Sequence, residues 1–419
     1  RLSMSSPEPA LVSARPRILV VYGTRPEAIK VAPIVWALTR RSEVTVEVCS
    51  TGQHREMLAP VEAALGLVPD HDLDLMRPDQ TLNDLLSRAV VAVDRVLTRS
   101  RPDWLVVQGD TTTAMAGALA AFHRRVRVAH VEAGLRTGDL GHPFPEEANR
   151  LLIDRLATLL FPPTARARDA LLAEGVPAER VLLTGNTVVD ALERIAAGLG
   201  PPVERDEVLV TVHRRESFGE PLARIFRALG ELARRFPATR FFYPVHRNPN
   251  VTGPARAALG GLPNVELAEP LDYVALVERL RGCRLVLTDS GGIQEEAPTF
   301  GKPVLVLRET TERPEGIEAG VAALVGTDPE RIVATASRLL TDAAAYAAMA
   351  RRLQPYGDGK AGERIAERLV GEMRSAVGTR LRDTPTPTDG EGCRSSRWND
   401  ATLQVAGQRR RGKRRKRDS

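Results

Sequence analysis

The residues most ready for chemistry lie in Leu285–Pro314, LVLTDSGGIQEEAPTFGKPVLVLRETTERP. An apolar strand pattern over 284–288 ends there and gives way at once to Ser290-Gly291-Gly292, which can turn the chain tightly and aim free N–H groups outward. A helix that opens at such a turn presents unpaired donors and the positive end of its dipole, so the junction is suited to a phosphate. Glu296 follows about one helical turn on, where a carboxylate can accept hydrogen bonds from ribose hydroxyls. Its plainer role would be an N-terminal helix carboxylate stabilised by the dipole. Arg308 and Arg313 come after the next strand, 303–307.

Further apolar runs stop in the same way. RILVVY (17–22) stops at Gly23-Thr24-Arg25-Pro26-Glu27, which puts Arg25 and Lys30 near the start of a helix running to about Thr39. A strand over 44–50 leads into TGQHRE, with Gln53 and Glu56, and a helix through Leu65. WLVVQ (104–108) ends at Gly109-Asp110, the strand 126–131 ends at Glu132, and the loop GDLGHPFP delivers Glu146, Glu147 and Arg150 on a helix expected through Leu160. In the second half, 208–212 ends at His213-Arg214-Arg215 and 241–245 at His246-Arg247. Open α/β sheets bind ligands at this edge. A purely structural role stands beside each residue: Lys30 as a solvated lysine, Asp110 as an N-cap, Glu146 and Arg150 as an i,i+4 pair, either histidine as a packed side chain.

The elements that must position these residues alternate strand and helix, which predicts an α/β protein with parallel sheets. At 419 residues the chain exceeds one typical core, and two domains are expected. Residues 17–199 form the first, rejoined by a helix near 360–377, and 206–359 the second, with GLGPPVER (198–205) as the linker. Residues 1–16 read as a leader without an apolar signal region, with Met4 as the expected start, and 380–419 as a disordered tail. The net charge of +6 belongs to that tail, because RRRGKRRKR (409–417) holds eight of the 59 basic residues and leaves the body near neutrality. A general nucleic-acid function is thereby excluded for the fold, and nonspecific anion binding is expected only of the tail. Three scattered cysteines in no CxxC spacing predict neither disulfides nor a zinc site, and no run is long enough to span a membrane. A cytoplasmic location is expected.

In order, GTRPEAIK, TGQHREML, QGDTTT, HVEAGLRTGD, PFPEEANR, GNTVVDAL, TVHRRESFG, PVHRNP and DSGGIQEEA with the ETTERPE loop resemble the non-hydrolysing UDP-N-acetylglucosamine 2-epimerases. The resemblance covers roughly 17–375. It implies two facing Rossmann-like domains of glycosyltransferase-B type with the site in the cleft, and a homodimer. It places diphosphate and substrate contacts on Arg25, Lys30, His213, Ser290, Gly291, Gly292, Glu296 and Arg313. The catalytic group falls on Asp110, Glu132 and Glu146, with Arg150 and His213. A second, activating substrate site falls on Gln53, Glu56, Glu146, Arg215 and His246. The segment from Leu271 to Leu276 departs from the family, which usually carries an aromatic residue near the base where this chain has Leu276.

The implied reaction interconverts UDP-N-acetylglucosamine and UDP-N-acetylmannosamine, for cell-surface polysaccharide synthesis, with no cofactor and no metal. The C2 proton is scarcely acidic and can leave only as the C1–diphosphate bond breaks, so cations must receive the departing group while carboxylates serve the two faces of the sugar. A glycosyltransferase of the same architecture would share the glycine turn and the ribose glutamate. It would not need three carboxylates on the donor sugar. The activating-site residues disfavour a hydrolysing epimerase, and the intact charged residues at the strand ends disfavour a silent nucleotide-sugar sensor.

Overall fold

The structure, a computed structural model, describes residues 15–52, 55–214 and 217–382, apart from the side chains of 55–57 and 376–382. Residues 1–14 of the leader, Gln53, Arg215 and the tail after 382 therefore lie outside the described residues, as does the side chain of Glu56.

Two six-stranded parallel sheets organise the chain. The first contains β1 (Arg17–Tyr22), β2 (Thr45–Ser50), β3 (His71–Asp72), β4 (Trp104–Gln108), β5 (Arg127–Val131) and β6 (Leu159–Phe161), in the order β3-β2-β1-β4-β5-β6. The second contains β7 (Glu207–Thr211), β8 (Arg240–Pro244), β9 (Val265–Ala268), β10 (Leu285–Thr288), β11 (Val304–Val306) and β12 (Ala322–Leu324), in the order β12-β11-β10-β7-β8-β9. Read from the other edge, that is the same order. The central strands are buried along almost their whole length, which is why they read as continuous apolar runs and not as alternating ones.

In each sheet the connection reverses direction between the first strand and the fourth, at β1/β4 and at β7/β10. Such a switch point opens a crevice at the carboxyl ends of the strands. The four loops that border the two crevices carry Arg25, Asp110, His213 and Ser290–Gly292. Apolar clusters cover both faces of the first sheet, one containing Ile18, Val20 and Ile34, the other Leu19, Val21 and Leu105. The helix Ala361–Arg382 adds Ile365, Leu369 and Val370 to the first cluster, although it follows the second sheet in sequence.

Some expectations give way. The helix begun at Glu146 ends at Leu156, not Leu160: Ala157 turns to extended geometry and Leu159–Phe161 pairs with β5 as an edge strand. Asp110 does not cap its helix, because the Thr111 side chain accepts the Ala114 N–H at 3.0 Å. The helix after Ser290 has only six residues, Gly291–Glu296, before a 3-10 turn.

Two backbone positions around the first crevice are exacting. Glu132, the residue after β5, has φ +66°, in the left-handed region that side chains rarely adopt. Gly134 has φ +84°, and a Cβ there would lie 2.2 Å from the Ala167 carbonyl oxygen. Gly134→Ala is therefore expected to destabilise the fold by roughly 3 kcal/mol, combining strain with a backbone clash. Denaturant unfolding of the two proteins checks it, and a loss below about 1 kcal/mol would contradict the packing described.

Candidate functional site

The carboxyl ends of the two sheets meet through charge. Lys30, buried on the helix Arg25–Thr39, donates to Glu132 Oε1 at 2.6 Å and lies 3.3 Å from Glu295 Oε2. Glu295, from the second half, also accepts from Arg313 Nε at 2.8 Å and from Asn186 Nδ2 at 3.1 Å. Arg313 continues to Glu312 at 3.3 Å, and Glu312 accepts from both terminal nitrogens of Arg308 at 2.9 and 3.1 Å. The signs alternate along the whole row. Burial drives the Lys30 ammonium down, but Glu132 and Glu295 outweigh it and hold Lys30 above its ordinary value. Burial likewise opposes the charge on Glu295, yet Lys30 and Arg313 hold it below the carboxylate range. Glu132 ends up raised, because burial outweighs the pull of Lys30. Gln108, at the end of β4, donates to its other oxygen.

The glycines at 291 and 292 do not supply a left-handed turn, since neither has a positive φ. A Cβ on Gly291 would lie 2.9 Å from Arg313 Cζ, so the missing side chain lets the guanidinium pack over the turn where it does. Ser290 starts the short helix and its N–H donates to Thr288 Oγ at 2.9 Å. Asp289, fully buried behind it, accepts the N–H groups of His213 and Arg214 at 3.0 and 2.8 Å and so ties the β7 loop to the β10 loop. His213 and His246 stack with centroids 5.6 Å apart and planes 13° from parallel. Burial lowers the His213 imidazole below its ordinary value despite Asp289, which favours the neutral ring.

Glu296 differs from its neighbour. Its Oε1 accepts from Tyr273 Oη at 3.5 Å, while Oε2 is buried without a hydrogen-bond partner among the described residues. Burial and then Glu295 push its carboxyl up to about 8, against the pull of Arg25 and Lys30. Arg25 is exposed at the start of its helix, close enough for its charge to act on Glu296, Tyr273 and His213. Leu271 and Leu276 are half-buried against the apolar cluster of Ile293 and Ala297, beside the same short helix.

The third carboxylate pair departs from expectation. Arg150 does not bond Glu146 across one helical turn but pairs with Asp110 at 2.7 Å, and its other terminal nitrogen lies 3.3 Å from Glu147. The reason is the β4 loop, which carries Asp110 over the helix and accepts Asn149 Nδ2 on the Asp110 carbonyl at 2.8 Å. Glu146 makes no ion pair among the described residues, and burial followed by the charge of Asp110 raises its carboxyl. Of the activating set, His246 is described and stacks on His213, Glu146 stands beside Asp110, and Gln53, Arg215 and the Glu56 side chain fall outside the described residues.

Sequence reasoning missed Glu295, Gln108, Asn186, Asp289 and Tyr273. Glu295 had a signal, since two adjacent glutamates on a buried helix cannot face one partner. The others depend on partners 23 to 109 residues away.

A double-wound pair of sheets with cations, a glycine turn and carboxylates at both switch points defines a nucleotide-sugar enzyme of glycosyltransferase-B type. A family profile described as UDP-N-acetylglucosamine 2-epimerase matches residues 36–370. A probable UDP-N-acetylglucosamine 2-epimerase of Ralstonia nicotianae is 50% identical over 368 residues, 84% of this chain and 98% of the relative. The solved UDP-GlcNAc 2-epimerase of Neisseria meningitidis bound to UDP-GlcNAc superposes with a TM-score of 0.81 at 41% identity, over 85% of this chain and all of that one. The Methanocaldococcus jannaschii enzyme in complex with UDP-GlcNAc and UDP gives 0.72 at 32%, over 85% and 99%. The chain belongs to the UDP-N-acetylglucosamine 2-epimerase family. No helix among the described residues is long and apolar enough to cross a membrane.

The Glu296 carboxyl generates a pH prediction. The unfolded chain releases this proton at about pH 4.3 and the folded one only near 8, so the contribution of Glu296 to stability falls as pH rises between the two and is flat above. Glu296→Gln removes that loss. The melting temperature of the variant relative to wild type is expected to rise from about pH 5 to about pH 8.5, and a difference that is constant or falls with pH would refute the raised carboxyl.

Proposed function

We propose that the protein reversibly inverts C2 of UDP-N-acetylglucosamine to give UDP-N-acetylmannosamine, by eliminating UDP to a 2-acetamidoglucal and adding it back, and that the product feeds cell-surface polysaccharide synthesis. The observation that supports this most is the meeting of two kinds of group in one crevice. Cations and a glycine turn suited to a diphosphate (Arg25, Lys30, Arg313 and Ser290–Gly292) are gathered with carboxylates, Glu132 on Lys30 and Asp110 on Arg150 with Glu146 near it.

Elimination develops negative charge on the departing diphosphate and requires a proton to leave C2. Lys30 and Arg313 are cations already gathered at the crevice, and the leaving group would draw them partly away from Glu295. Neutral His213 can donate one hydrogen bond to the diphosphate without competing for its proton. The unpartnered Glu296 oxygen suits a ribose hydroxyl. Asp110, ion-paired with Arg150, is the better candidate to accept the C2 proton, and Glu146, whose carboxyl is raised, the better one to deliver a proton from the other face. Glu132, fixed by Lys30 and Gln108, is suited to stabilising charge between them.

The same proposal includes a homodimer, supported by exposed Val91, Phe122 and Leu152 on three successively packed helices of the first half. It also includes a second, activating substrate site reached through His246, whose ring stacks on His213 and can pass a change of position to the catalytic side. The nearest competing reaction, sugar transfer, acts at C1 and leaves C2 untouched.

Incubation with UDP-N-acetylglucosamine in deuterated water, followed by proton NMR, separates the two. The expected result is UDP-N-acetylmannosamine carrying solvent deuterium at C2, with deuterium entering the recovered substrate as equilibrium is reached. Net epimerisation with hydrogen retained at C2 would overturn the elimination route.

For the activating site, the reverse reaction from UDP-N-acetylmannosamine alone should lag until a trace of UDP-N-acetylglucosamine is added. A progress curve that is linear from the first moment and indifferent to that trace would remove the second site.

A further inference from the structure

Behind the crevice lies a buried histidine–aspartate pair that the proposed reaction does not use. His130, on β5, is fully buried. Its Nδ1 is 2.6 Å from Asp154 Oδ1 and its Nε2 is 2.8 Å from the carbonyl oxygen of Gly109. A carbonyl can only accept, and a carboxylate has no hydrogen to give. Both ring nitrogens therefore have to donate for both contacts to be hydrogen bonds, which makes the ring an imidazolium whose charge Asp154 balances.

The two contacts lead to the two carboxylate loops. Gly109, at φ +71°, immediately precedes Asp110, and its N–H donates to the Val131 carbonyl at 3.0 Å. Asp154 Oδ2 accepts the N–H of Gly134 at 3.2 Å, two residues after Glu132, and accepts Arg136 Nη2 at 2.7 Å. Arg136 is in turn paired with Glu174 at 2.7 Å. Burial opposes charge on Asp154, but His130 and Arg136 hold its carboxyl below the ordinary range. The helix Glu146–Leu156 supplies Asp154 and also the two residues that grip Asp110, Asn149 on its carbonyl and Arg150 on its carboxylate. Glu146 begins that helix. One helix and one ring thus hold Asp110 directly and the backbone two residues beyond Glu132.

We propose that His130 is a positioning residue, a doubly protonated ring paired with Asp154 that holds the Gly109 carbonyl and so sets Asp110 against Glu132. The inference rests on the epimerase reading for its kinetic consequence but not for its ring chemistry. His130 touches no substrate, so its effect is on the geometry of proton transfer and not on binding of the nucleotide. Misplacement of a catalytic group by about an ångström costs on the order of a hundredfold in rate.

The test has three arms. In protein labelled with nitrogen-15 histidine, both ring nitrogens of His130 in the resting enzyme are expected to carry a hydrogen, and one bare nitrogen would overturn the imidazolium. This arm needs neither activity nor a folded variant, and so stands even if UDP-N-acetylglucosamine proves not to be the substrate. His130→Gln cannot reach both acceptors, and kcat is expected to fall about tenfold to a hundredfold while KM and the stoichiometry and affinity of UDP binding stay within about twofold. Unchanged kcat would overturn positioning, and a fall in UDP-binding stoichiometry matching the loss of rate would reveal a merely structural role. Asp154→Asn lets a neutral ring keep Nε2–H on Gly109 while Nδ1 accepts from the new amide. It is expected to lose several-fold less rate than His130→Gln, and an equal or larger loss would show that the Gly109 contact is not what matters.

Discussion

Everything in the crevice depends on one buried ammonium. Lys30 is removed from water between Glu132 of its own half and Glu295 of the other. Desolvating such charges costs several kcal/mol per ion, and mutual attraction offsets that only when the geometry is tight and the remaining hydrogen-bond capacity is filled. Gln108 and Asn186 fill it on the two glutamates, and Arg313 repeats the pattern one step further. The row of alternating charges from Glu132 to Arg308 therefore holds together as a unit: removal of any inner member strands a buried charge of the opposite sign. Because its members come from the two sheets, the row also makes the relation between the halves sensitive to any anion that enters. In the proposed reaction a diphosphate competes with Glu295 for Lys30 and Arg313, so substrate binding and the approach of the halves are linked through the same atoms.

Much of this was legible in the sequence, for a physical reason. Strands buried on both faces read as apolar runs, and those expected from the sequence, from Arg17–Tyr22 to Leu285–Thr288, are found within a residue or two of their places, whereas the half-buried edge strand Val265–Ala268 was not expected. Their carboxyl ends carry the charged loops because the reversal of strand order at β1/β4 and β7/β10 opens a crevice there, where the following helices begin. The short edge strands His71–Asp72, Leu159–Phe161 and Ala322–Leu324 could not be read, since two or three residues have no periodicity. The side-chain partnerships were harder still. Helical spacing is local and points Arg150 at Glu146, whereas in the fold Arg150 turns to Asp110, far earlier in the chain, which a loop lays across the helix. His130 gave no sign at all, as a histidine in the middle of a strand has the same local sequence whether it is neutral and packed or charged and bonded.

Adjacent residues show how far the environment decides. Glu295 and Glu296 follow one another on a single turn of helix, about 100° apart around its axis. Glu295 faces Lys30, Arg313 and Asn186, and its two cations hold it below the carboxylate range against burial, whereas burial and then the charge of Glu295 raise Glu296 despite its hydrogen bond from Tyr273. The surroundings of Asp110 and Glu146 differ too: Asp110 is ion-paired with Arg150, whereas Glu146 makes no ion pair among the described residues and burial raises its carboxyl. Elimination across C1 and C2 followed by addition from the other face needs one carboxyl able to take a proton and another able to hold one at the same pH. A crevice lined with equivalent carboxylates could not supply both. In the proposed reaction, burial together with the uneven placement of Lys30 and the arginines makes unlike groups from like residues, and the roles of the carboxyls follow from those surroundings.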